Sequence, residues 1–135
     1  MKLVIDTSVL MAYAKENALA ADLMENVISN KVEWFICKEI LKEYKIVLRI
    51  KKLKLNSTKQ SEMLQFIADF AKNVELNSEV YFSRDRDDTM FLSLAEQIGA
   101  DFLITDDKQL LSASHRIKSK IVNLKDMVSV LKLLK

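Results

Sequence analysis

Short apolar runs alternate along the chain with longer segments whose apolar residues recur every three or four positions. The short runs predict strands that are buried on both faces, and the longer segments predict amphipathic helices. The predicted strands cover residues 2–6, 33–37, 101–105 and 120–123, with a weaker one at 73–76. The predicted helices cover residues 8–14, 18–29, 38–51, 58–72, 87–98, 107–112 and 125–134. This alternation favours an α/β fold with a central, mostly parallel sheet flanked by helices.

Two of the predicted helices have capping residues at one end. Asn56 stands just before the helix at 58–72, where a side-chain oxygen can accept a bond from a free backbone N–H. Gly99 stands just after the helix at 87–98, where a left-handed backbone is wanted. Both residues support the placement of the helices that they flank.

The composition narrows the class of protein. With 135 residues, half of them apolar, the chain is expected to form one domain over residues 1–135. One cysteine, Cys37, excludes an internal disulfide, and no window reaches the roughly 18 apolar residues of a membrane span, so we expect a cytoplasmic protein. A single glycine and no proline exclude the Gly-rich loops that cradle phosphates. Any phosphate chemistry must therefore depend on side chains and metals.

Two predicted strands run directly into acidic residues. Asp6 ends the first strand, and Asp106 and Asp107 follow Thr105 at the end of another. The carboxyl ends of parallel strands meet at one edge of a sheet, where ligands bind in open α/β folds. Capping of the next short helix is the alternative role for Asp106 or Asp107.

Acids on two predicted helices are candidates to join them. Asp88 falls on the apolar face of the helix at 87–98, and Glu43 falls at the edge of the apolar stripe of the helix at 38–51. A capping role for Asp88 and a lysine-paired surface role for Glu43 are the structural alternatives. Asp85, Asp87 and Asp88 lie within four residues and repel one another unless a cation is near.

These acids can converge in one crevice, because strand tips and helix N-termini share an edge of such a sheet. Carboxylate oxygens are ligands for hard divalent cations such as Mg²⁺ or Mn²⁺. Cys37 and His115 are single residues of their kinds, so the sequence offers no ligand set for zinc and no Ser-His-Asp triad.

At four places the sequence resembles the acidic motifs of the PIN-domain ribonucleases, and it is most similar to the VapC-like branch of toxins from toxin–antitoxin systems. The matching segments are Val4–Leu10, Glu39–Glu43, Arg84–Leu92 and Gly99–Asp107. They keep the order and spacing of the family motifs and span nearly the whole chain. The resemblance implies a PIN-like three-layer α/β fold.

The resemblance also implies a role for each matched residue. Asp6, Glu43, Asp88 and Asp107 correspond to the four catalytic, metal-binding acids, with Ser8 and Thr105 as supporting hydroxyls. Two positions depart from the branch, which commonly has proline at Arg86 and glycine at Asp106. The second departure leaves two adjacent acids, so Asp106 is an alternative fourth metal ligand.

The implied activity is hydrolysis of RNA phosphodiester bonds with Mg²⁺ or Mn²⁺, without association with a membrane. The implied partners are an RNA substrate, a cognate antitoxin and a second copy of the chain, with the helices around 8–29 and 58–72 supplying the protein-binding surfaces. The candidate RNA-binding residues are basic and follow or flank the acids: Lys45, Arg49, Lys51, Lys52, Arg84 and Arg86. Each basic group has a solvated surface as its alternative reading.

Two other functions remain open from the sequence. A PIN-like module that binds RNA or protein without hydrolysis would share the same fold. A phosphatase of the haloacid-dehalogenase type would need a second aspartate two residues after Asp6, where this chain has Ser8.

Overall fold

The structure, a computed structural model, describes residues 1–77, 86–113 and 117–134, with the side chains of residues 86–88 excepted. Its strands are β1 Lys2–Ile5, β2 Glu33–Ile36, β3 Ala71–Asn73, β4 Phe102–Ile104 and β5 Lys120–Val122. Its α-helices are α1 Thr7–Ala14, α2 Ala18–Ile28, α3 Lys38–Leu48, α4 Ser57–Phe70, α5 Arg86–Ile98, α6 Lys108–Leu111 and α7 Leu124–Leu133.

The five strands form one sheet in the order β3-β2-β1-β4-β5, and every neighbouring pair is parallel. The central strand β1 is buried at Leu3, Val4 and Ile5 because helices cover both faces. The chain leaves β1 toward β2 on one side and returns to β4 on the other. The crevice at the carboxyl ends of β1 and β4 is therefore the topological switch point, where open α/β sheets bind ligands.

Helices pack in layers on the sheet, with α1 against α2 and α3, α2 against α7, and α5 against β1, β4 and α3. The largest fully buried side chains are Trp34, Tyr44 and Phe91, from β2, α3 and α5. The predicted α/β fold, with a parallel sheet flanked by helices, is confirmed.

Three elements, α4, β3 and α3, have a boundary that differs from the sequence prediction by two residues or more. The helix predicted to reach residue 72 ends at Phe70, and β3 occupies Ala71–Asn73 instead of 73–76. Pairing of Ala71 with Trp34 of β2 overrides the local helical pattern, which has no glycine or proline to mark the change. Helix α3 ends at Leu48 instead of residue 51, and a 3₁₀ turn at Lys51–Leu53 follows.

Both predicted caps are confirmed. The side chain of Asn56 accepts a hydrogen bond of 2.8 Å from the backbone N–H of Lys59, and Gly99 has a φ of 63°. Among the residues that the structure describes, no helix is long and apolar enough to cross a membrane.

Candidate active site

Asp6 is the residue that joins β1 to α1, and it is only 5% exposed. It caps α1 because its carboxylate accepts a bond from the backbone N–H of Ser8 at 3.4 Å. Its Oδ2 accepts two shorter bonds, from the Ser8 hydroxyl at 2.8 Å and from the Thr105 hydroxyl at 2.7 Å. Its Oδ1 has one long contact among the described residues, with the Thr7 hydroxyl at 3.4 Å. Among the described residues, Oδ2 is thus the oxygen of the carboxylate that is held by short bonds.

The two supporting hydroxyls are themselves oriented by the backbone that follows β4. The N–H of Asp106 donates to the Ser8 hydroxyl at 3.1 Å, and the N–H of Asp107 donates to the Thr105 hydroxyl at 2.9 Å. A backbone N–H can only donate, so each hydroxyl must direct its own hydrogen toward Asp6. Burial of Thr105, which is 0% exposed, keeps water from competing for these bonds.

The side chains of Asp106 and Asp107 differ from Asp6 because both are exposed. Asp107 caps α6, accepting a bond of 2.9 Å from the N–H of Gln109. Asp106 accepts a bond of 3.0 Å from the N–H of Leu124, the first residue of α7. Asp107 therefore has the capping role that the sequence left open, whereas the N-cap of α7 is Asn123. Asp106 also ties the end of β4 to the start of α7.

Glu43 lies in the middle of α3 and is half-buried. Its neighbour Tyr44 is fully buried, and its hydroxyl donates a hydrogen bond to the carbonyl of Ile5, the residue before Asp6. Burial raises the pKa of the Tyr44 phenol, so it stays a donor at any physiological pH. The helix that carries Glu43 is thus bonded to the strand tip that carries Asp6.

Asp88 is the third residue of α5, a helix that packs on β1, β4 and α3. The side chains of Arg86, Asp87 and Asp88 lie outside the described part of the structure, as does Arg84. Thr89, directly after Asp88, is fully buried, so the first turn of α5 faces the core.

Within the described side chains, no three acids, thiols or imidazoles lie together in a group that could hold a metal ion. The four-acid site, which includes Asp88, therefore stays a prediction. The available donors are carboxylate oxygens, and Cys37 is a buried thiol whose pKa is raised by burial to about 11. A thiol in this state is a poor metal ligand, so the donor chemistry fits Mg²⁺ or Mn²⁺ better than zinc.

The candidate RNA-binding residues on α3 and the following turn are all exposed: Lys45, Arg49, Lys51 and Lys52. They lie on the same helix as Glu43 or directly after it. The side chain of Arg86 and all of Arg84 lie outside the described residues. Only part of the predicted basic surface can therefore be placed.

Sequence reasoning missed two contacts of this region. The periodicity of α3 places Tyr44 on its buried apolar stripe, but it does not indicate the bond from Tyr44 to Ile5. Sequence reasoning did not foresee the bond between Asp106 and Leu124 either. Both pairs join residues far apart in the chain, and no local pattern marks such a pairing.

The sequence matches the family model described as "PIN domain" over residues 2–109. The chain belongs to the PIN domain family. No curated protein gives a significant match to the sequence. The match covers β1, β4 and the start of α6, and thus every acid named above.

Solved structures of similar fold support the family assignment. VapBC2 from Rickettsia felis, crystallised with a DNA fragment from its promoter, has a TM-score of 0.65 and 15% identity, covering 91% of this chain and 98% of that chain. PAE2754 from Pyrobaculum aerophilum has a TM-score of 0.67 and 17% identity, covering 98% and 90%. The PIN domain endonuclease Utp24 has a TM-score of 0.56 and 17% identity, covering 90% and 84%. At such low identity, these likenesses establish the shared fold.

Proposed function

We propose that this PIN domain is a metal-dependent endoribonuclease and the toxin of a toxin–antitoxin pair. The observation that carries the proposal is the carboxylate of Asp6, which is buried at the switch point with Oδ2 held by two oriented hydroxyls. A buried carboxylate needs a compensating charge, and a divalent cation held by Asp6 would supply it. Family membership makes phosphodiester hydrolysis the reaction that such a site performs.

The residues that would hold the cation are Asp6, Glu43, Asp88 and Asp107, with Asp106 as the alternative to the last. A bound divalent cation lowers the pKa of a water molecule and stabilises the charge that develops on the phosphate. Ser8 and Thr105 would keep the carboxylate of Asp6 in one orientation. Such supporting bonds tune the affinity of carboxylate ligands for metal.

Positive charge beside the acids would bring the RNA backbone to the site. Lys45, Arg49, Lys51 and Lys52 are exposed along and after the helix of Glu43, and each contact with a phosphate releases counterions. Arg84 and Arg86 are proposed to act from the segment before Asp88. Binding through these residues should weaken as the salt concentration rises.

Cleavage of single-stranded RNA by the purified protein tests the proposal. We expect cleavage with Mg²⁺ or Mn²⁺ and none with EDTA. Asp88→Asn should abolish cleavage, whereas Asp87→Asn, the matched change at the neighbouring acid, should leave it intact. Absence of cleavage, together with absence of heat on titration with Mn²⁺, would favour the binding module without hydrolysis.

A groove beside α1, α2 and α4 supports the proposed antitoxin partner. It has a volume of about 460 Å³. Its lining combines apolar and charged side chains: Tyr13, Glu16, Ala21, Lys59, Glu62, Met63 and Phe66. A mixed lining of this kind suits an amphipathic segment of a partner protein. The same region is the proposed surface for a homodimer.

Production of the protein in growing cells tests the toxin role. We expect growth to stop with the intact protein and to continue with Asp6→Asn. Co-production of the protein encoded beside it should restore growth, and light scattering should give twice the chain mass for the isolated protein. Unimpeded growth despite active nuclease in the extract would remove the toxin assignment and leave the nuclease.

A further inference from the structure

Tyr44 lies on the helix that carries Glu43 and contacts β1, β2 and α5. The side chain is fully buried. Its hydroxyl donates to the carbonyl of Ile5 in β1. Its ring centroid lies 6.1 Å from that of Trp34 in β2 and 6.5 Å from that of Phe91 in α5.

The bond to Ile5 lies beyond the point where β1 pairs with β2. β1 pairs with β2 at Lys2 and Leu3, whereas it pairs with β4 as far as Ile5. At Ile5 the hydroxyl of Tyr44 provides a hydrogen bond to the strand from α3. The carbonyl that accepts this bond belongs to the residue before Asp6, and the donor belongs to the residue after Glu43.

The ring of Tyr44 also contacts the helix that carries a third acid, Asp88. Phe91 is three residues after Asp88 on α5, which is one turn of the helix. Tyr44 therefore follows Glu43 directly in the chain. Its hydrogen-bond partner, Ile5, directly precedes Asp6, and its ring partner, Phe91, is one helical turn after Asp88. Tyr44 thus links the helix of Glu43 directly to the strand tip before Asp6 and packs on the helix that carries Asp88.

We propose that Tyr44 is a positioning residue of the nuclease site, which sets the separation of Glu43 from Asp6 through its bond to the carbonyl of Ile5. The proposal rests on the proposed function, because the separation matters only if both acids hold one cation. The hydroxyl is suited to the role because burial excludes the water that would compete for this bond.

Tyr44→Phe is the direct test, because it keeps the ring and removes only the hydroxyl. We expect Mn²⁺ to bind about 10-fold more weakly by calorimetry, the low end of the range for a lost bond to a metal ligand, because this bond acts on the ligands only through the backbone. RNA cleavage at low Mn²⁺ should slow by a similar factor and recover as Mn²⁺ is raised. Ser129→Ala is the matched control, because it also removes a hydroxyl that donates to a backbone carbonyl, that of Lys125, from an exposed position on α7, and it should match wild type in both measurements.

The outcomes separate the two proposals. A Tyr44→Phe protein that unfolds at a lower temperature but binds Mn²⁺ as wild type does would show a purely structural residue and overturn this inference. Wild-type protein that neither binds Mn²⁺ nor cuts RNA would instead overturn the proposed function itself.

A second measurement applies even if Tyr44→Phe does not fold. The chain has three tyrosines, so uniform 3-fluorotyrosine labelling gives three ¹⁹F resonances, assignable with Phe variants of Tyr13 and Tyr81. Diamagnetic Mg²⁺ should shift the Tyr44 resonance and leave that of Tyr13 in place. If the ¹⁹F chemical shift of Tyr44 does not change at saturating Mg²⁺, although calorimetry shows that Mg²⁺ binds, the positioning role is contradicted.

Discussion

The two edges of the same strand pair hold their acids in opposite ways. At the amino edge, the carboxylate of Asp101 ties β4 to β1 by accepting a bond of 2.8 Å from the backbone N–H of Lys2, and the residue is exposed. At the carboxyl edge, Asp6 ties β1 to β4 through the Thr105 hydroxyl at 2.7 Å, and the residue is buried. Both bonds join residues that are 99 positions apart.

The difference lies in the donors and in the solvent. Water can replace the N–H of Lys2 at the exposed edge, so the bond of Asp101 contributes little more than local order. At the buried edge, two hydroxyls hold one oxygen of Asp6 and water cannot replace them. The buried acid with its fixed oxygen is the one that we propose to hold a cation, whereas Asp101 joins the two strands at the surface.

The largest expected effect is the difference in the rate of RNA cleavage between Asp6→Asn and Asp101→Asn. The first change removes the charge that would attract the cation but keeps the shape of the side chain, so cleavage should fall to the level seen with EDTA. The second change keeps an acceptor for the N–H of Lys2, so the cleavage rate should match wild type. Metal-dependent RNA cleavage measures both, and equal activity of the two variants would end the distinction between the edges.

The next effect concerns the hydroxyls that hold Asp6. Thr105→Val keeps the shape of a fully buried side chain and leaves Asp6 Oδ2 and the N–H of Asp107 without that partner. We expect cleavage to slow by about 10–100-fold and the free energy of unfolding to fall by about 1–3 kcal/mol. Urea titration and cleavage assays measure these losses.

Two further variants serve as comparisons for Thr105→Val. Ser8→Ala, at a half-buried position, should lose less in both measurements because water can enter its place. Thr58→Val, an exposed residue in the first turn of α4, should change neither. A Thr105→Val protein as active as Thr58→Val would show that the hydroxyl does not orient a ligand.

Variants of the two adjacent acids after β4 should have a smaller effect on cleavage, and they test which of the two is the fourth metal ligand. Asp107→Asn should slow cleavage and keep its stability, since asparagine also caps helices. Asp106→Asn should leave cleavage unchanged. Asp106→Ala, by contrast, should lower the free energy of unfolding by about 1 kcal/mol, because the N–H of Leu124 loses its acceptor. The reverse order of activities would assign Asp106 as the ligand.

The smallest effect comes from Glu33, which begins β2 beside Lys2 and has no part in the proposed chemistry. Lys72 bonds to Glu33 at 2.6 Å and, through that bond and its charge, lowers the pKa of Glu33 from 4.5. A lowered pKa stabilises the fold above the ordinary pKa, and that gain is lost as pH falls through the folded value. Wild type should therefore melt slightly above Glu33→Gln at pH 6 and equal to it near pH 3. A difference that grows at pH 3 would reverse the sign of the coupling.

Much of the fold follows from local patterns. The buried strand at 2–6, the caps at Asn56 and Gly99, and the parallel α/β class can all be predicted because each depends on residues close together in the chain. The end of α4 could not be predicted, since the pairing of Ala71 with Trp34 is a contact between distant residues. For the same reason the sequence left open whether Asp106 and Asp107 cap a helix or bind a metal.

The sequence by itself determined the type of each element, the order of the acidic motifs and membership of the PIN domain family. Only the tertiary structure decided what each acid does at its edge. It buries Asp6 against the hydroxyls of Ser8 and Thr105, it turns Asp106 and Asp107 to helix starts, and it places the Tyr44 hydroxyl on Ile5. The physical reason is that burial and hydrogen bonding depend on which distant segments meet, whereas periodicity and capping depend only on neighbours in the chain.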